Sequence, residues 1–136
     1  MKTVTIRQSV TLRAKPLEVY EAFVDADKHS AFTGSRATGE ARVGSEFSAW
    51  DGYITGKYIE LEEGRRIVQE WATTEWPDGY PPSRFELSFK LVGGNTEVSM
   101  VQSSVPEELA EDLRNGWNEF YWEPLREYFK NLHNAV

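Results

Sequence analysis

The sequence predicts an α+β fold, in which a curved antiparallel sheet is closed by a long C-terminal helix. Strand patterns separated by glycines fill residues 37–104. Apolar residues then recur at helical spacing from Pro106 towards the C-terminus. No internal repeat or linker-like stretch divides the 136 residues, so we expect one domain spanning residues 1–136.

The first elements are predicted to be a strand and two short helices. Residues 3–12 alternate apolar and polar side chains, as a half-buried strand does. Pro16 suits a first helical turn, whose N–H groups lack partners, and an apolar stripe that includes Phe23 follows it. Residues 25–32 predict a second short helix, which Thr33 and Gly34 end.

The clearest strand covers residues 84–91. Its apolar side chains share one face and its polar side chains the other, which predicts a sheet covered on one side. Gly93-Gly94-Asn95 predicts a hairpin after it, because both residue types accept a positive φ. The inward rows of three strands are expected to be Phe85, Leu87, Phe89 and Leu91; Ile67, Gln69, Trp71 and Thr73; and Val98 with Met100.

The strand at residues 54–61 has an ambiguous register. Gly56 and Tyr58 are opposite in parity to Ile59 and Leu61, so no single face collects all four. Gly52 and Gly56 indicate a tight hairpin and a bulge. The alternative is that their missing side chains leave room for a ligand or for the helix.

The last helix is predicted to run over residues 106–132. Glu107 and Glu108 suit the positive end of its dipole. Pro124 lacks an N–H group and clashes with the Phe120 carbonyl, which predicts a kink near Phe120. The apolar positions at helical spacing are Leu109, Leu113, Trp117, Phe120, Tyr121, Leu125, Tyr128 and Leu132.

Composition excludes several classes of partner. The net charge of −7 repels phosphate backbones, so nucleic-acid binding is not expected. Without cysteine there is no disulfide and no thiolate metal site. No run of about 18 apolar residues predicts a membrane span, and we expect a cytoplasmic protein.

Aromatic residues point to a binding cavity. The chain has 5 Trp, 6 Tyr and 7 Phe, and a bent sheet around a long helix leaves a gap that such side chains line. The alternative is a solid aromatic core. We expect a small hydrophobic molecule, a lipid or an aromatic metabolite, to bind between sheet and helix. The predicted lining residues are Phe32, Phe47, Trp71, Phe85, Leu87, Met100, Trp117 and Tyr121.

No catalytic or metal-binding constellation is apparent in the sequence. The chain lacks a nucleophile beside a base, paired carboxylates at a typical spacing and a His-x-x-His motif, so we predict no catalytic residue, metal or cofactor. An enzyme acting on a cavity-bound substrate is the weakest hypothesis. Its acid–base candidates are Asp51, Glu60, Glu75 and His29.

The segment at residues 76–83 has the composition of a rigid loop. Pro77-Asp78-Gly79 supplies turn chemistry, and Trp76 and Tyr80 add two aromatic rings. The rings indicate either an interaction surface or cavity lid, or local packing.

Several motifs along the chain carry a family resemblance. They are Gly52-x-Ile54-x-Gly56, Ile67-Val-Gln-Glu-Trp71, Trp76-Pro77, Ser83, Val105-Pro106 and Gly116-Trp117-x-x-Phe120-Tyr-Trp-Glu-Pro-Leu125. Together they resemble the C-terminal-domain type of the activator-of-heat-shock-chaperone-ATPase homologue family, over residues 4–132. That family lies in the START-like (SRPBCC) superfamily, so the resemblance implies a helix-grip fold. It also implies a second function, a protein–protein interaction module that binds a 90-kDa heat-shock chaperone.

Overall fold

The computed structural model describes residues 1–134. Its strands form one seven-stranded antiparallel sheet. They are β1 (Thr3–Leu12), β2 (Thr38–Gly39), β3 (Glu46–Ala49), β4 (Ile54–Glu62), β5 (Arg66–Thr73), β6 (Ser83–Val92) and β7 (Asn95–Pro106). The spatial order is β1-β7-β6-β5-β4-β3-β2, so the first strand pairs with the last.

The helices follow the predicted order. They are α1 (Pro16–Val24), α2 (Ala26–Thr33), α3 (Ala110–Trp117) and α4 (Glu123–Asn134), with a 3-10 turn at Glu107–Leu109 and a π-helical segment at Asn118–Trp122. The predicted start of α1 at Pro16 is confirmed. Asp25 caps α2 by accepting the Lys28 N–H, and Gly34 ends it in the left-handed conformation.

The predicted inward rows form the core, with one exception. Ile67, Gln69, Trp71 and Thr73 are buried, as are Phe85, Leu87, Phe89, Val98 and Met100. Leu91 is the exception, because it is 60% exposed at the end of β6, next to the Gly93-Gly94 hairpin. Both hairpin glycines have a positive φ, which confirms the predicted turn.

A β-bulge resolves the ambiguous register of β4. Tyr58 pairs with Gln69 and Glu60 pairs with Val68, so Ile59 is the extra residue. After the bulge, each residue of β4 faces the side of the sheet opposite to the one that simple alternation would give it. The space at Gly56 is taken by a neighbouring strand rather than by a ligand or the helix. A Cβ there would lie 1.9 Å from the Glu70 carbonyl oxygen and 2.6 Å from the Phe47 ring.

The C-terminal helix is interrupted where Pro124 predicts it, but in a different form. The Glu123 N–H bonds to the Asn118 carbonyl, five residues back, so the turn before Pro124 is widened. This π-helical turn shifts the helical phase by one residue. Trp122 and Phe129 are therefore buried, whereas Phe120 and Leu132, two of the apolar positions at helical spacing, are exposed.

The helices pack on the sheet around one aromatic core. α1 contacts β6 and β7, α3 and α4 contact β1, and α2 contacts α4. The predicted α+β fold is confirmed. Over residues 1–134, no helix is both long and apolar enough to cross a membrane.

Candidate functional site

The space between sheet and helix is nearly filled. A small void of about 20 Å³ lies there, which is room for about one water molecule. Of the eight predicted lining residues, Phe47, Trp71, Phe85, Trp117 and Tyr121 border this void. The other three, Phe32, Leu87 and Met100, are buried in the core beyond it. The interior at this position therefore matches the solid-core alternative more closely than a ligand-sized cavity.

Trp117 explains why the interior is filled. Its ring stacks on Phe85 with centroids 4.7 Å apart and lies 5.3 Å from the ring of Trp71. Its indole N–H donates to the buried Gln102 side-chain oxygen at 2.9 Å. The Gln102 amide donates in turn to the Ser83 hydroxyl at 3.1 Å. This chain satisfies the buried polar atoms and fixes the tryptophan ring against the sheet.

An open cleft lies on the outer side of the same aromatic group. Its volume is about 470 Å³, within the range of small-molecule pockets. The turn before β4 bounds it on one side, and α3 together with the π-helical segment bounds it on the other. Its lining residues are Trp50, Tyr53, Ile54, Trp71, Asp112, Leu113, Gly116, Trp117, Phe120 and Tyr121. Three predicted ligand-facing residues therefore border a cleft large enough for a small molecule. They are Trp71, Trp117 and Tyr121.

The rim of the cleft is a turn with an unusual backbone. Trp50 and Asp51 have φ values of 53° and 56°, in the left-handed region. Aspartate enters this region readily, whereas for a bulky residue such as tryptophan it costs about 1–2 kcal/mol. This conformation places the Trp50 ring against Phe120, with centroids 5.4 Å apart. Backbone strain of this kind concentrates at binding sites, so the rim is a second indication of function.

Gly116 leaves the α3 side of the cleft open. Glycine inside a helix costs about 1 kcal/mol relative to alanine. Nothing in the packing demands it, because the nearest atom to an added Cβ would be Phe120 Cδ2 at 3.8 Å, an ordinary contact. The helix therefore forgoes stability at a position where a side chain would enter the cleft.

A hydrogen-bond chain connects Tyr121, which lines the cleft, to α2. His29 Nδ1 lies 3.1 Å from the Phe23 carbonyl oxygen, which can only accept, so Nδ1 carries the proton. The Tyr121 hydroxyl then donates to His29 Nε2 at 3.0 Å. Burial lowers the pKa of His29 from 6.5 to about 4, so the ring is neutral at pH 7.

The acid–base candidates do not assemble an active site. Asp51, Glu60 and Glu75 are exposed. Glu60 pairs with Arg66, and Glu75 accepts a hydrogen bond from the Tyr53 hydroxyl. His29 is buried with both ring nitrogens bonded, as in a structural histidine. Within the described part of the chain, no three His, Cys, Asp or Glu side chains are grouped to hold a metal ion.

The loop after β5 packs locally. The Trp76 indole donates to the Pro81 carbonyl at 2.9 Å, and its ring lies 6.0 Å from the ring of Trp71. Trp76 is half-buried against the core, so local packing accounts for it.

Most of the cleft lining was not among the predicted lining residues. Trp50, Tyr53 and Asp112 lie outside the predicted inward-facing rows. Leu113 and Phe120 belong to the predicted apolar positions of the last helix but were not predicted to line a cavity. The sequence feature that could have indicated the cleft is Gly116, a glycine inside an otherwise regular helical pattern.

Comparison with known proteins places the fold and the family. The structure superposes on an HSP90 activator from Plasmodium falciparum with a TM-score of 0.86 and 21% identity, covering 93% of this chain and 96% of that one. This similarity confirms the helix-grip fold.

Two sequence relatives are activators of 90 kDa heat shock protein ATPase. Homolog 1 from Homo sapiens is 32% identical over 127 residues, 93% of this chain but 37% of its own length. The Dictyostelium discoideum homolog is 33% identical, covering 85% of this chain and 30% of its own length. The chain thus spans about a third of the length of these relatives. Residues 13–130 match the family model described as "Activator of Hsp90 ATPase homolog 1-like protein". The chain belongs to this family.

Proposed function

We propose that this chain is a protein-interaction module that binds a chaperone of the 90-kDa heat-shock class through the aromatic cleft. The observation that carries the proposal is the cleft itself, which is open, apolar and lined by six aromatic residues. Family membership supports the class of partner, because its relatives are activators of that chaperone's ATPase. The predicted cytoplasmic location agrees with this role and stays a prediction.

Phe120 is the expected centre of the contact. It is 47% exposed although it belongs to the aromatic group around the cleft, and it packs on Trp50. An exposed aromatic side chain beside a preformed recess is the usual setting of an interface hot spot. A partner side chain that entered the cleft would cover Phe120 and displace water from the apolar walls.

Calorimetry and ATPase assays with the 90-kDa chaperone of the same host test this proposal. Phe120→Ala should weaken binding by about tenfold or more, a loss of at least about 1.4 kcal/mol of binding free energy. Leu132→Ala is the matched control, since Leu132 is 49% exposed on the same C-terminal segment but does not line the cleft. If the unmodified protein gives neither heat of binding nor a change in ATPase rate, the proposal fails.

A small hydrophobic ligand in the same cleft is the second candidate. The volume of about 470 Å³ and the glycine at position 116 support it. Trp71, Trp117 and Tyr121 would then contact the ligand. Native mass spectrometry of protein purified from its host should show a lipid or aromatic metabolite at one-to-one stoichiometry. An empty protein that also fails to take up hydrophobic fluorescent probes would contradict this candidate.

A further inference from the structure

The mouth of the cleft is acidic. Asp112 is the charged residue in its lining, at the start of α3. Glu75 stands beside the mouth and accepts a hydrogen bond from the Tyr53 hydroxyl. Burial raises the pKa of Tyr53, and both carboxylates raise it further. The Tyr53 hydroxyl, at the rim, therefore lies close to the negative charges of both Asp112 and Glu75.

We propose that the cleft binds a partner segment in which a large apolar side chain is followed closely by an arginine or a lysine. The apolar side chain lies between the aromatic walls beside Gly116, and the cation meets Asp112. The inference rests on the proposed function in taking the occupant to be a protein segment. It adds the chemistry of that segment.

Charge complementarity selects the basic residue. A carboxylate attracts a cation, and the aromatic rings of Trp50, Tyr53 and Phe120 line the same cleft, where a cation is attracted to the face of a ring. Arginine satisfies both groups, because its planar guanidinium pairs with a carboxylate and stacks on aromatic rings. The net charge of −7 favours the same partner at longer range and repels an acidic or phosphorylated one.

Helix geometry sets the spacing within the segment. Asp112 and Gly116 are four residues apart on α3, so they lie on one face about 6 Å apart. An extended partner segment advances about 3.3 Å per residue. The basic residue is therefore expected within about two positions of the apolar anchor.

Selection from a phage-displayed random-peptide library tests the inference. Binders are selected on the unmodified protein and depleted on Gly116→Leu, in which the new side chain occupies the cleft. A thermal unfolding scan establishes that this variant is folded, and Gly116→Ala serves as a second, smaller obstruction. Cleft-dependent peptides should carry a large apolar residue with Arg or Lys within two positions.

Two matched variants then measure the ion pair. Asp112→Asn should weaken a selected peptide about three- to fivefold at low salt, as expected for an exposed pair, and about 0.5 M salt should remove the difference. Glu111→Gln is the control, since Glu111 is also acidic in the first turn of α3 but does not line the cleft. It should leave the affinity unchanged.

Three results would overturn the inference: no cleft-dependent peptide, cleft-dependent peptides without basic residues, or equal effects of Asp112→Asn and Glu111→Gln. The proposed function is decided separately, by the chaperone titration. Chaperone binding that requires Phe120 while the peptides show no basic preference would keep the function and reject the inference. Basic cleft-dependent peptides with no chaperone binding would do the reverse.

Discussion

Replacing Gly116 with alanine should make the protein more stable and a weaker binder. An added Cβ meets its nearest neighbour at 3.8 Å, so it introduces no clash. Alanine in a helix interior is favoured over glycine by about 1 kcal/mol. For a chain of 136 residues that gain raises Tm by about 3–6 °C. The same methyl group projects into the cleft that Gly116 lines, and should reduce chaperone affinity a few-fold.

Urea unfolding and calorimetric titration measure the two effects on one preparation. Asn115→Ala is the control, because Asn115 is the adjacent exposed residue of α3 and does not line the cleft. It should raise stability by a few tenths of a kcal/mol through helix propensity and leave binding unchanged. A destabilised Gly116→Ala protein would refute the reasoning, since packing rather than the cleft would then explain the glycine. So would a stabilised protein with undiminished affinity for its partner.

Three further predictions concern the interior. Gln102→Leu should lower the free energy of unfolding by about 1–3 kcal/mol, because the Trp117 indole N–H loses its acceptor; an unchanged urea midpoint would argue against that bond. Protonation of His29 is disfavoured in the folded state, so stability should be complete above about pH 6.5 and fall by up to about 3 kcal/mol towards pH 4. His29→Gln should lack this part of the pH dependence of stability. Identical profiles of stability against pH for the variant and the unmodified protein would contradict the prediction. Gly56→Ala should cost about 2 kcal/mol or more, because its Cβ would meet the Glu70 carbonyl oxygen at 1.9 Å; a stable variant would exclude this close approach.

Most of the fold could be predicted because its periodicities are local. Alternation identified β6 and the inward row from Ile67 to Thr73, and Gly93-Gly94 identified the hairpin between the last two strands. The parity change in β4 was visible as an ambiguity. Its cause, the bulge at Ile59, depends on pairing with β5 and so could not be read from one strand.

The cleft could be predicted only in part, because its residues reach it for non-periodic reasons. Trp50 reaches the cleft because its backbone is in the left-handed conformation, which tryptophan does not intrinsically favour. Phe120 faces outwards because the π-helical turn shifts the helix by one residue. Conversely, Leu87 and Met100 have the alternation of cavity-lining residues, but the Trp117 ring on Phe85 fills the space that they would have bordered.

The indole N–H resonances of the five tryptophans give the most direct test of the cleft as the binding site. Trp50, Trp71 and Trp117 line the cleft, whereas Trp76 and Trp122 do not. On titration of isotope-labelled protein with the host's 90-kDa chaperone, we expect the Trp50 and Trp117 signals to shift or broaden first. The Trp122 signal should stay unchanged in the early steps, because its indole N–H donates to the side-chain oxygen of Gln8 on β1. A titration in which Trp76 or Trp122 responds while Trp50 and Trp117 do not would contradict the assignment of the cleft.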